Sequence, residues 1–373
     1  MNHILIYFPY ELQQNPKSGS GVRPKRLTEA FRRYGEKQGF EVVVISGQSQ
    51  QRKKEIEKYL SSYKMEEAAF CYMENSTMPY WLTDKDHLPR ALGMDSGFWR
   101  KLKKHHVPIG CFYRDVYWQF DDMYVPPFGK KALTPVMRHI YQTELKTYHK
   151  YVDIMYLPSL EMNSFVKWSK KYDELPPGME PVEKTAPAPK GSVPSAVYVG
   201  GITDEIGILT MLEGFDEINK DSLTVQLQFI CRENEFKKSA KIQAYTDRPW
   251  LTIQHLSGQE LKKVYKESTI ALIPREKNTY HDFAMPVKLF EYLSYSLPIV
   301  ATNCDAQARF LEENNFGIVS EVDKHQFAKA VLRAVDPDMH FKLVSSIEAG
   351  AYEHNSWDAR VEKAANDLLG LKG

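Results

Sequence analysis

The sequence predicts an α/β protein built from two doubly wound, Rossmann-like domains that face a central cleft. Three observations support this prediction. Short apolar runs of strand length alternate with segments of helical periodicity along almost the whole chain. At 373 residues the chain is too long for one ordinary core. The stretch 176–194 holds six of the 21 prolines and shows no hydrophobic period. It therefore separates two halves that show the same alternation of strands and helices.

The proline-rich stretch sets the predicted domain boundaries. We place the boundary within residues 178–192, because domains usually join in exposed segments that are rich in proline and glycine. The first domain is then residues 1–178, the second is residues 192–350, and residues 351–373 form a final helical segment. Two open α/β sheets on either side of a hinge predict a ligand site in the cleft between them.

The first half begins with a strand, a loop, a helix and a second strand. An apolar strand at residues 3–8 is followed by a glycine-containing loop at 15–22, a helix, and a strand at 41–45. The first turn of such a unit is the usual ligand loop of an open α/β sheet, although a flexible loop without function also fits these residues. The alternation continues with helices predicted at residues 50–62, 98–105, from 134 onwards and at 159–169, and strands at 68–73, 108–113 and 153–157.

Two polar features of the first half are candidates for function. Arg114 and Asp115 come directly after the strand at 108–113, at the end of a strand where parallel sheets bind their ligands. A stabilising Arg–Asp pair is the alternative interpretation. The segments 101–106 and 130–150 are rich in lysine and arginine. Such basic helices suit an anionic membrane surface, and an ordinary solvated helix face is the alternative.

The second half repeats the alternation of strands and helices. The first strand of this half ends in Gly200 and Gly201, and Arg232 directly follows the second strand. Strands are predicted at residues 195–199, 225–231, 250–255, 269–274, 299–301 and 317–320, and helices at 206–219, 236–245, 258–266, 286–296, 306–314, 324–335, 338–351 and 358–371.

The helix predicted at 286–296 carries the most informative pair of residues. Pro286 suits the first turn of a helix, where its missing N–H is not needed. Lys288 and Glu291 lie three residues apart and therefore share one helix face. The lysine could neutralise a phosphate, and the carboxylate could accept two hydrogen bonds from a ribose diol. Judged by spacing alone, such a pair is more often an ordinary ion pair on the protein surface.

Composition argues against several classes of function. A net charge of +1 gives no general electrostatic attraction for nucleic acid. The four cysteines are far apart, as expected of buried thiols in a reducing cytoplasm and not of a zinc site or a disulfide framework. No apolar stretch approaches the roughly 20 residues of a membrane span, and the N-terminus lacks the pattern of a signal peptide. We therefore expect a cytoplasmic protein without a metal.

The order of motifs resembles the GT-B nucleotide-sugar glycosyltransferases, most closely the large retaining family 4, over nearly the whole chain. The segments similar to that family are TELKTYHKYVDIMYLPS, ELPPG, YVGGITDEIGILTMLEGF, LSGQELKKVYKESTIALIP, the form PxKLFEY…PIVA, and NSWDARVEKAANDLL. The last of these is similar to a closing helix that crosses back to the first domain. The resemblance implies that fold for residues 351–373.

The resemblance also implies a role for each candidate residue. Lys288 would contact the diphosphate of the donor, and Glu291 would contact its ribose. The implied catalytic residues are Arg114, Asp115, Lys288 and Arg232. The implied donor-binding residues further include Gly19, Ser20 and Gly21 of the first loop, Gly200 and Gly201, Arg232, His281, Asp282 and Leu289.

Two departures from the family pattern affect the donor site. Ile202 and Ile206 stand where many relatives carry arginine and lysine, which leaves fewer cations for the diphosphate. Phe283 stands where relatives carry the first of two glutamates. Contacts to the donor sugar would then fall to Asp282 or His281.

The resemblance implies an enzyme that moves a hexose from a nucleoside-diphosphate sugar to an acceptor hydroxyl, with retention and without a cofactor. The basic segments suggest a lipid-linked or cell-surface glycan as the acceptor, as in capsule or exopolysaccharide biosynthesis, and a peripheral place at the inner face of the plasma membrane. Two alternatives remain open. One is a catalytically inactive GT-B subunit that stabilises a partner transferase, and the other is a GT-B sugar epimerase.

Overall fold

The computed structural model describes residues 2–13, 19–126, 129, 131–183, 192–202 and 205–372. It divides into two compact units. The first unit is Met1–Gly178 together with Trp357–Gly373, and the second is Met179–Ser356. Within the described residues, no helix combines the length and the apolar composition needed to cross a bilayer.

The first unit is built on a six-stranded parallel sheet. Its strands are β1 (His3–Tyr7), β2 (Glu41–Ile45), β3 (Ala68–Glu74), β4 (Ile109–Phe112), β5 (Ile154–Leu157) and β6 (Tyr172–Glu174). They lie in the order β2-β1-β3-β4-β5-β6, so the chain changes direction across the sheet between β1 and β3. Every residue of β1, β3, β4 and β5 is buried, as expected of parallel strands covered on both faces.

Helices pack on both faces of this sheet. They are α1 (Gly19–Gln38), α2 (Ser49–Ser62), α3 (Met94–Lys104), α4 (Thr134–Tyr151) and the short α5 (Asn163–Val166). Phe31 of α1 packs with Ile4 and Phe70 on one face. On the other face, the ring of Tyr7 lies 5.7 Å from that of Phe98 of α3.

The second unit has a six-stranded parallel sheet of its own. Its strands are β7 (Ser195–Val199), β8 (Gln226–Ile230), β9 (Leu251–Gln254), β10 (Ile270–Ile273), β11 (Ile299–Thr302) and β12 (Gly317–Ser320). Their order is β12-β11-β10-β7-β8-β9, which places the change of direction between β7 and β10. Open α/β sheets bind ligands beyond the carboxyl ends of the strands at this point.

Alternate residues of these strands enter two separate cores. Leu272 of β10 belongs to one core, and its neighbours Ala271 and Ile273 belong to the other. The helices that complete the unit are α6 (Glu205–Ile218), α7 (Glu233–Phe236), α8 (Ala240–Gln243), α9 (Gly258–Glu267), α10 (Thr279–Phe283), α11 (Val287–Leu293), α12 (Asp305–Asn314), α13 (Lys324–Val335) and α14 (Pro337–Asn355). The unit is therefore doubly wound.

The last helix, α15 (Trp357–Leu369), returns to the first unit. Val361 and Leu368 of α15 pack in the same core cluster as Ile4 and Ile6 of β1. A Cβ atom on Gly178 would lie 2.5 Å from the ring of Trp357, so a glycine is required where the two segments meet. The two doubly wound units and the returning helix confirm the predicted fold class.

Three predicted segments near the candidate residues need correction. Gly19, Ser20 and Gly21 form the first turn of α1 and not a loop, and the first part of the predicted loop lies outside the described residues. Asp282 lies in the helix α10 and not in a loop, because the side chain of Asn278 accepts a hydrogen bond from the N–H of His281 and caps that helix. Helix α11 is also shorter than predicted.

The end of α11 has a clear physical cause. Ser296 adopts a left-handed conformation with φ of 53°. The N–H of Leu297 then donates to the carbonyl of Tyr292 at 3.3 Å. This backward hydrogen bond is the Schellman type of helix end, and it ends the helix before residue 296.

Glu144 of α4 predicts a pH dependence of stability. Its Oε1 accepts hydrogen bonds from the Tyr80 N–H at 2.8 Å and the Tyr148 hydroxyl at 3.0 Å. Its Oε2 is buried without a hydrogen-bond partner among the described residues. Burial raises the pKa of Glu144 to about 8, above the value of about 4.3 in an unfolded chain.

Because the folded state binds this proton more tightly, the stabilisation is complete below the unfolded pKa and is lost as pH rises towards the folded pKa. We expect the free energy of unfolding to fall by about 3 kcal/mol between pH 5 and pH 8, relative to Glu144→Gln. Urea titrations of both proteins at each pH measure this difference. An equal pH dependence in the two proteins would contradict the assignment.

Candidate functional site

The candidate site lies in the second unit, where β7 and β10 end side by side. Gly200 and Gly201 follow β7, and Pro274 and Arg275 follow β10. The start of α6 comes close to this edge, because a Cβ atom on Gly207 would lie 2.2 Å from the carbonyl oxygen of Pro274. The edge is therefore the place where an open α/β sheet of this order binds a ligand.

Lys288 and Glu291 of α11 form a three-membered cluster with a buried tyrosine. Lys288 Nζ lies 2.7 Å from Glu291 Oε2 and 3.1 Å from the hydroxyl of Tyr265. The Tyr265 hydroxyl in turn donates to Glu291 Oε1 at 2.9 Å. Burial raises the pKa of Tyr265, so its phenol stays protonated and remains a donor. The side chains of Lys288 and Glu291 are 35% and 37% exposed, so a ligand can reach both.

Helix α11 is fixed to the end of β7. The hydroxyl of Tyr292 accepts a hydrogen bond from the N–H of Val199 at 3.0 Å. Tyr292 follows Glu291 directly, and Val199 is the last residue of β7. The contact therefore holds α11 at the edge of the sheet that carries Gly200. Leu289 is fully buried in the core, and its N–H donates to the Pro286 carbonyl.

The Gly200–Gly201 turn is held by three hydrogen bonds. Gly200 N–H donates to the Ile230 carbonyl at 3.1 Å, the Tyr198 hydroxyl donates to the Gly201 carbonyl at 2.6 Å, and Ile202 N–H donates to Glu235 Oε2 at 2.9 Å. A Cβ atom on Gly200 would lie 2.4 Å from the Tyr198 hydroxyl oxygen. A side chain at this position would therefore displace Tyr198 and break its hydrogen bond to the Gly201 carbonyl.

The structure brings Arg232 beside this turn. Its guanidinium donates to Glu235 Oε1 at 2.8 Å, while the other oxygen of Glu235 holds the turn at Ile202. The side chain of Arg232 is 79% exposed. It is therefore placed to move towards a ligand with little loss of packing.

Arg275, which follows β10 at the centre of the same edge, was not among the residues predicted from the sequence. Its N–H donates to Thr302 Oγ1 at 2.9 Å, and the Thr302 hydroxyl donates to the Arg275 carbonyl at 2.6 Å. Its guanidinium donates to the carbonyl of Ala284 at 2.7 Å, four residues before Lys288. The signal in the sequence that could have identified Arg275 is a cation directly after a strand, at the point where the chain changes direction across the sheet.

His281 and Asp282 have partners other than the Lys288 cluster. His281 Nδ1 lies 2.8 Å from the carbonyl oxygen of Glu276. Asp282 Oδ1 accepts from Lys277 Nζ at 3.0 Å, and Lys277 also binds Asp305 at 2.6 Å. Both predicted residues therefore help to order the loop after β10, and their contact with a sugar stays a prediction.

In the first unit, Arg114 belongs to a polar cluster at the carboxyl ends of β3 and β4. Its N–H donates to Asn75 Oδ1 at 2.7 Å, its Nη2 donates to the Tyr10 hydroxyl at 3.0 Å, and Nη2 lies 3.6 Å from Glu74 Oε2. The buried Arg23 donates to Glu74 Oε1 at 2.9 Å. Glu74 was not among the predicted site residues.

Asp115 has a local structural contact. Its Oδ1 accepts a hydrogen bond from the N–H of Tyr117 at 2.9 Å. This is the usual contact by which aspartate orders a turn two residues ahead. Gly19, Ser20 and Gly21 lie at the start of α1, in the connection that follows β1. No group of three or more His, Cys, Asp or Glu that could hold a metal ion occurs in the described ranges.

Comparison with known proteins gives a family match within the second unit and structural matches over the whole chain. Residues 193–336 match the sequence model of the family described as Glycosyl transferases group 1. No curated protein sequence matches the chain. Among solved structures, a sucrose-phosphate synthase from Thermosynechococcus elongatus has a TM-score of 0.62 at 12% identity, over 99% of both chains.

Two further structures agree with this result. A glycosyltransferase from Rickettsia africae has a TM-score of 0.62 at 13% identity, over 99% of this chain and 98% of that one. Anabaena HepE in complex with UDP has a TM-score of 0.60 at 10% identity, over 99% of this chain and all of that one. The structural matches confirm the predicted GT-B fold, and the family match supports the predicted glycosyltransferase within residues 193–336.

Proposed function

We propose that this chain, which carries a group 1 glycosyltransferase domain on a GT-B fold, transfers a hexose from a nucleoside-diphosphate sugar to an acceptor hydroxyl. The observation that carries the proposal is the cluster of Lys288, Glu291 and Tyr265 at the carboxyl edge of the second sheet. A cation and a carboxylate are oriented there by one buried phenol. HepE, a structural relative, is known in complex with UDP and with UDP-glucose.

The proposed chemistry is stabilisation of a departing diphosphate. Negative charge grows on the diphosphate as its bond to the sugar breaks, and fixed cations at that place lower the barrier. Lys288 supplies one positive charge, and Arg275 supplies a second from the end of β10. Glu291 accepts the hydrogen bonds of the ribose diol. In this proposal the two side chains offset part of the leaving-group charge without a metal ion.

The Gly200–Gly201 turn and Arg232 complete the proposed donor site. Without side chains, the two glycines let the diphosphate approach the backbone. The exposed guanidinium of Arg232 is tethered to that turn through Glu235, which keeps a third cation within reach. We retain His281 and Asp282 as proposed contacts to the donor sugar, and transfer with retention, as in family 4, as the proposed stereochemistry.

For the acceptor we propose a lipid-linked glycan that binds to the first unit, at the carboxyl edge of the sheet where Arg114 lies. Val125 and Val136 are exposed apolar side chains next to Tyr124 and Met137, which belong to one hydrophobic cluster. Lys131, also exposed, lies at the start of the same helix region. Apolar side chains beside cations favour an anionic membrane surface. This supports capsule or exopolysaccharide assembly at the inner face of the membrane.

The alternatives are less well supported. An inactive subunit would have no need for Tyr265 to orient Lys288 and Glu291. An epimerase would need several acids and a histidine free for catalysis, but Asp115 orders the Tyr117 turn and Asp282 pairs with Lys277.

Isothermal titration with UDP, GDP and dTDP tests the proposed function. We expect one of the three to bind with a dissociation constant in the micromolar range, because two or three cations face the diphosphate. If none of the three binds, and ADP does not bind either, the proposal is wrong and the inactive-subunit alternative is favoured.

Arg275→Gln tests the cation that the sequence analysis missed. We expect the affinity for the bound nucleoside diphosphate to fall by about tenfold, as for one lost charge-assisted hydrogen bond. Lys277→Gln is the matched control, because Lys277 carries the same charge two residues further along and is paired with Asp282 and Asp305. Equal losses in the two variants would show a general charge effect and would remove Arg275 from the site.

A further inference from the structure

A cavity of the second unit lies mainly at the amino ends of its strands. Its volume is about 830 Å³, within the range of ligand sites. It is lined by Ser195 and Gln226, the first residues of β7 and β8, and by Thr269, which directly precedes β10. The proposed donor site lies at the carboxyl ends of the same sheet. The two sites are therefore separate.

The floor of this cavity is a rigid array of uncharged polar groups. Leu227 and Phe229 of β8 enter the core, so Gln226 and Gln228 face the opposite side and line the cavity. Gln228 is paired in register with Thr252 of the neighbouring strand. Adjacent strands lie about 4.8 Å apart. The floor thus offers amide and hydroxyl groups at fixed spacing, on a sheet face that would otherwise be apolar.

Two lining residues carry oxygens without a partner. Ser296 is 2% exposed, and among the described residues its hydroxyl has no hydrogen-bond partner. Oε1 of Gln254 is also buried and has no hydrogen-bond partner among the described residues. Ser296 also adopts φ of 53°, a conformation that favours glycine. A buried hydroxyl without a hydrogen-bond partner is unfavourable, and a ligand in the cavity would supply the partner.

The remaining lining does not favour an anionic ligand, because it includes the carboxylates Glu267 and Glu348, which accept hydrogen bonds from hydroxyl groups. Lys266 is paired with Glu183 at 2.7 Å, so this lysine is not a free cation for an anionic ligand. Phe341 of α14 lines the cavity and is 75% exposed. The face of an aromatic ring carries partial negative charge and attracts C–H groups. Amides, hydroxyls and one exposed ring are complementary to a pyranose, which has hydroxyls at its rim and C–H groups on its faces.

We propose that this cavity binds a neutral oligosaccharide, at a site separate from the donor. The glutamines and Thr252 accept from and donate to its hydroxyls, one hydroxyl pairs with Ser296, and Phe341 stacks on a sugar ring. Such a site would hold a glycan chain on the enzyme independently of the transfer step.

Saturation-transfer NMR and isothermal titration test the proposal on the full chain without nucleotide. The probes are neutral tetrasaccharides, each built from one sugar: glucose, galactose, mannose or N-acetylglucosamine. We expect at least one to bind saturably, and Gln228→Leu and Phe341→Ala each to weaken it by about tenfold. Tyr352→Ala is the matched control, because Tyr352 is an exposed aromatic residue of the same helix outside the cavity. Lys288→Ala should bind the sugar as the wild type does, whatever happens to the donor.

Ser296→Gly separates a binding role from a structural one. We expect a higher melting temperature, because glycine relieves the left-handed backbone, together with weaker binding of the tetrasaccharide. Unchanged binding in Ser296→Gly or in Gln228→Leu would overturn the proposal. So would a panel in which no tetrasaccharide binds, or a Phe341→Ala variant that changes the oligomeric state while no sugar binds.

Discussion

Lys288→Ala is expected to remove nucleotide binding and to lower kcat/KM for the donor by about a hundredfold to a thousandfold. The variant takes away a cation that faces the growing charge of the leaving diphosphate, and losses of this size follow when one such group is removed. It also leaves Glu291 close to the ligand without its cationic partner. The expected outcome for Glu291→Ala is loss of nucleotide affinity through the ribose.

Lys263→Ala is the matched control for Lys288→Ala. Lys263 and Glu267 form an exposed i, i+4 ion pair on α9, comparable to the surface i, i+3 pair that spacing alone suggested for Lys288 and Glu291. We expect wild-type kinetics from this control. Titration calorimetry and donor-turnover assays measure both variants. Wild-type affinity in Lys288→Ala would mean that the pair on α11 is only a surface ion pair.

Asp95→Ala is expected to destabilise the first unit by about 3–5 kcal/mol, the range for breaking one partner of a buried ion pair. Arg52 and Asp95 are both 1% exposed, with Arg52 Nε 2.7 Å from Asp95 Oδ1. Tyr7 donates a hydrogen bond to the same carboxylate. Removing the carboxylate leaves the Arg52 guanidinium buried without its counter-charge. The urea-unfolding midpoint measures the loss.

Two comparisons make this result specific. Asp86→Ala removes the carboxylate of an exposed i, i+4 pair with Arg90 and should leave the midpoint almost unchanged. The double variant Arg52→Met with Asp95→Leu should recover much of the stability, because a buried pair replaced by apolar side chains is often neutral. A single Asp95→Ala variant as stable as Asp86→Ala would contradict the buried network.

The alternation of strands and helices could be predicted from the sequence because parallel strands are short and almost wholly apolar. β6 was missed for the opposite reason, since Tyr172–Glu174 is a three-residue polar edge strand. Helix α10 was not predicted, although Asn278 stands at its start as a capping residue. In each case the missing signal was local and weak.

The candidate site was predictable only in part. The helical spacing of Lys288 and Glu291 is a local property, and it placed both on one face. Tyr265, which orients them, is 23 residues from Lys288, and no periodicity connects the two. Arg23 and Glu74 are likewise 51 residues apart and meet only because β1 and β3 are neighbours in the sheet. Such contacts follow from strand order and not from spacing.

The most direct test of the central claim is donor hydrolysis over a panel of UDP-, GDP-, dTDP- and ADP-linked hexoses. The quantity measured is the release of the nucleoside diphosphate. The proposed site predicts that the wild-type protein turns over sugars of one nucleotide class and that Lys288→Ala does not. Turnover of no donor, or equal turnover by the wild type and Lys288→Ala, would contradict it.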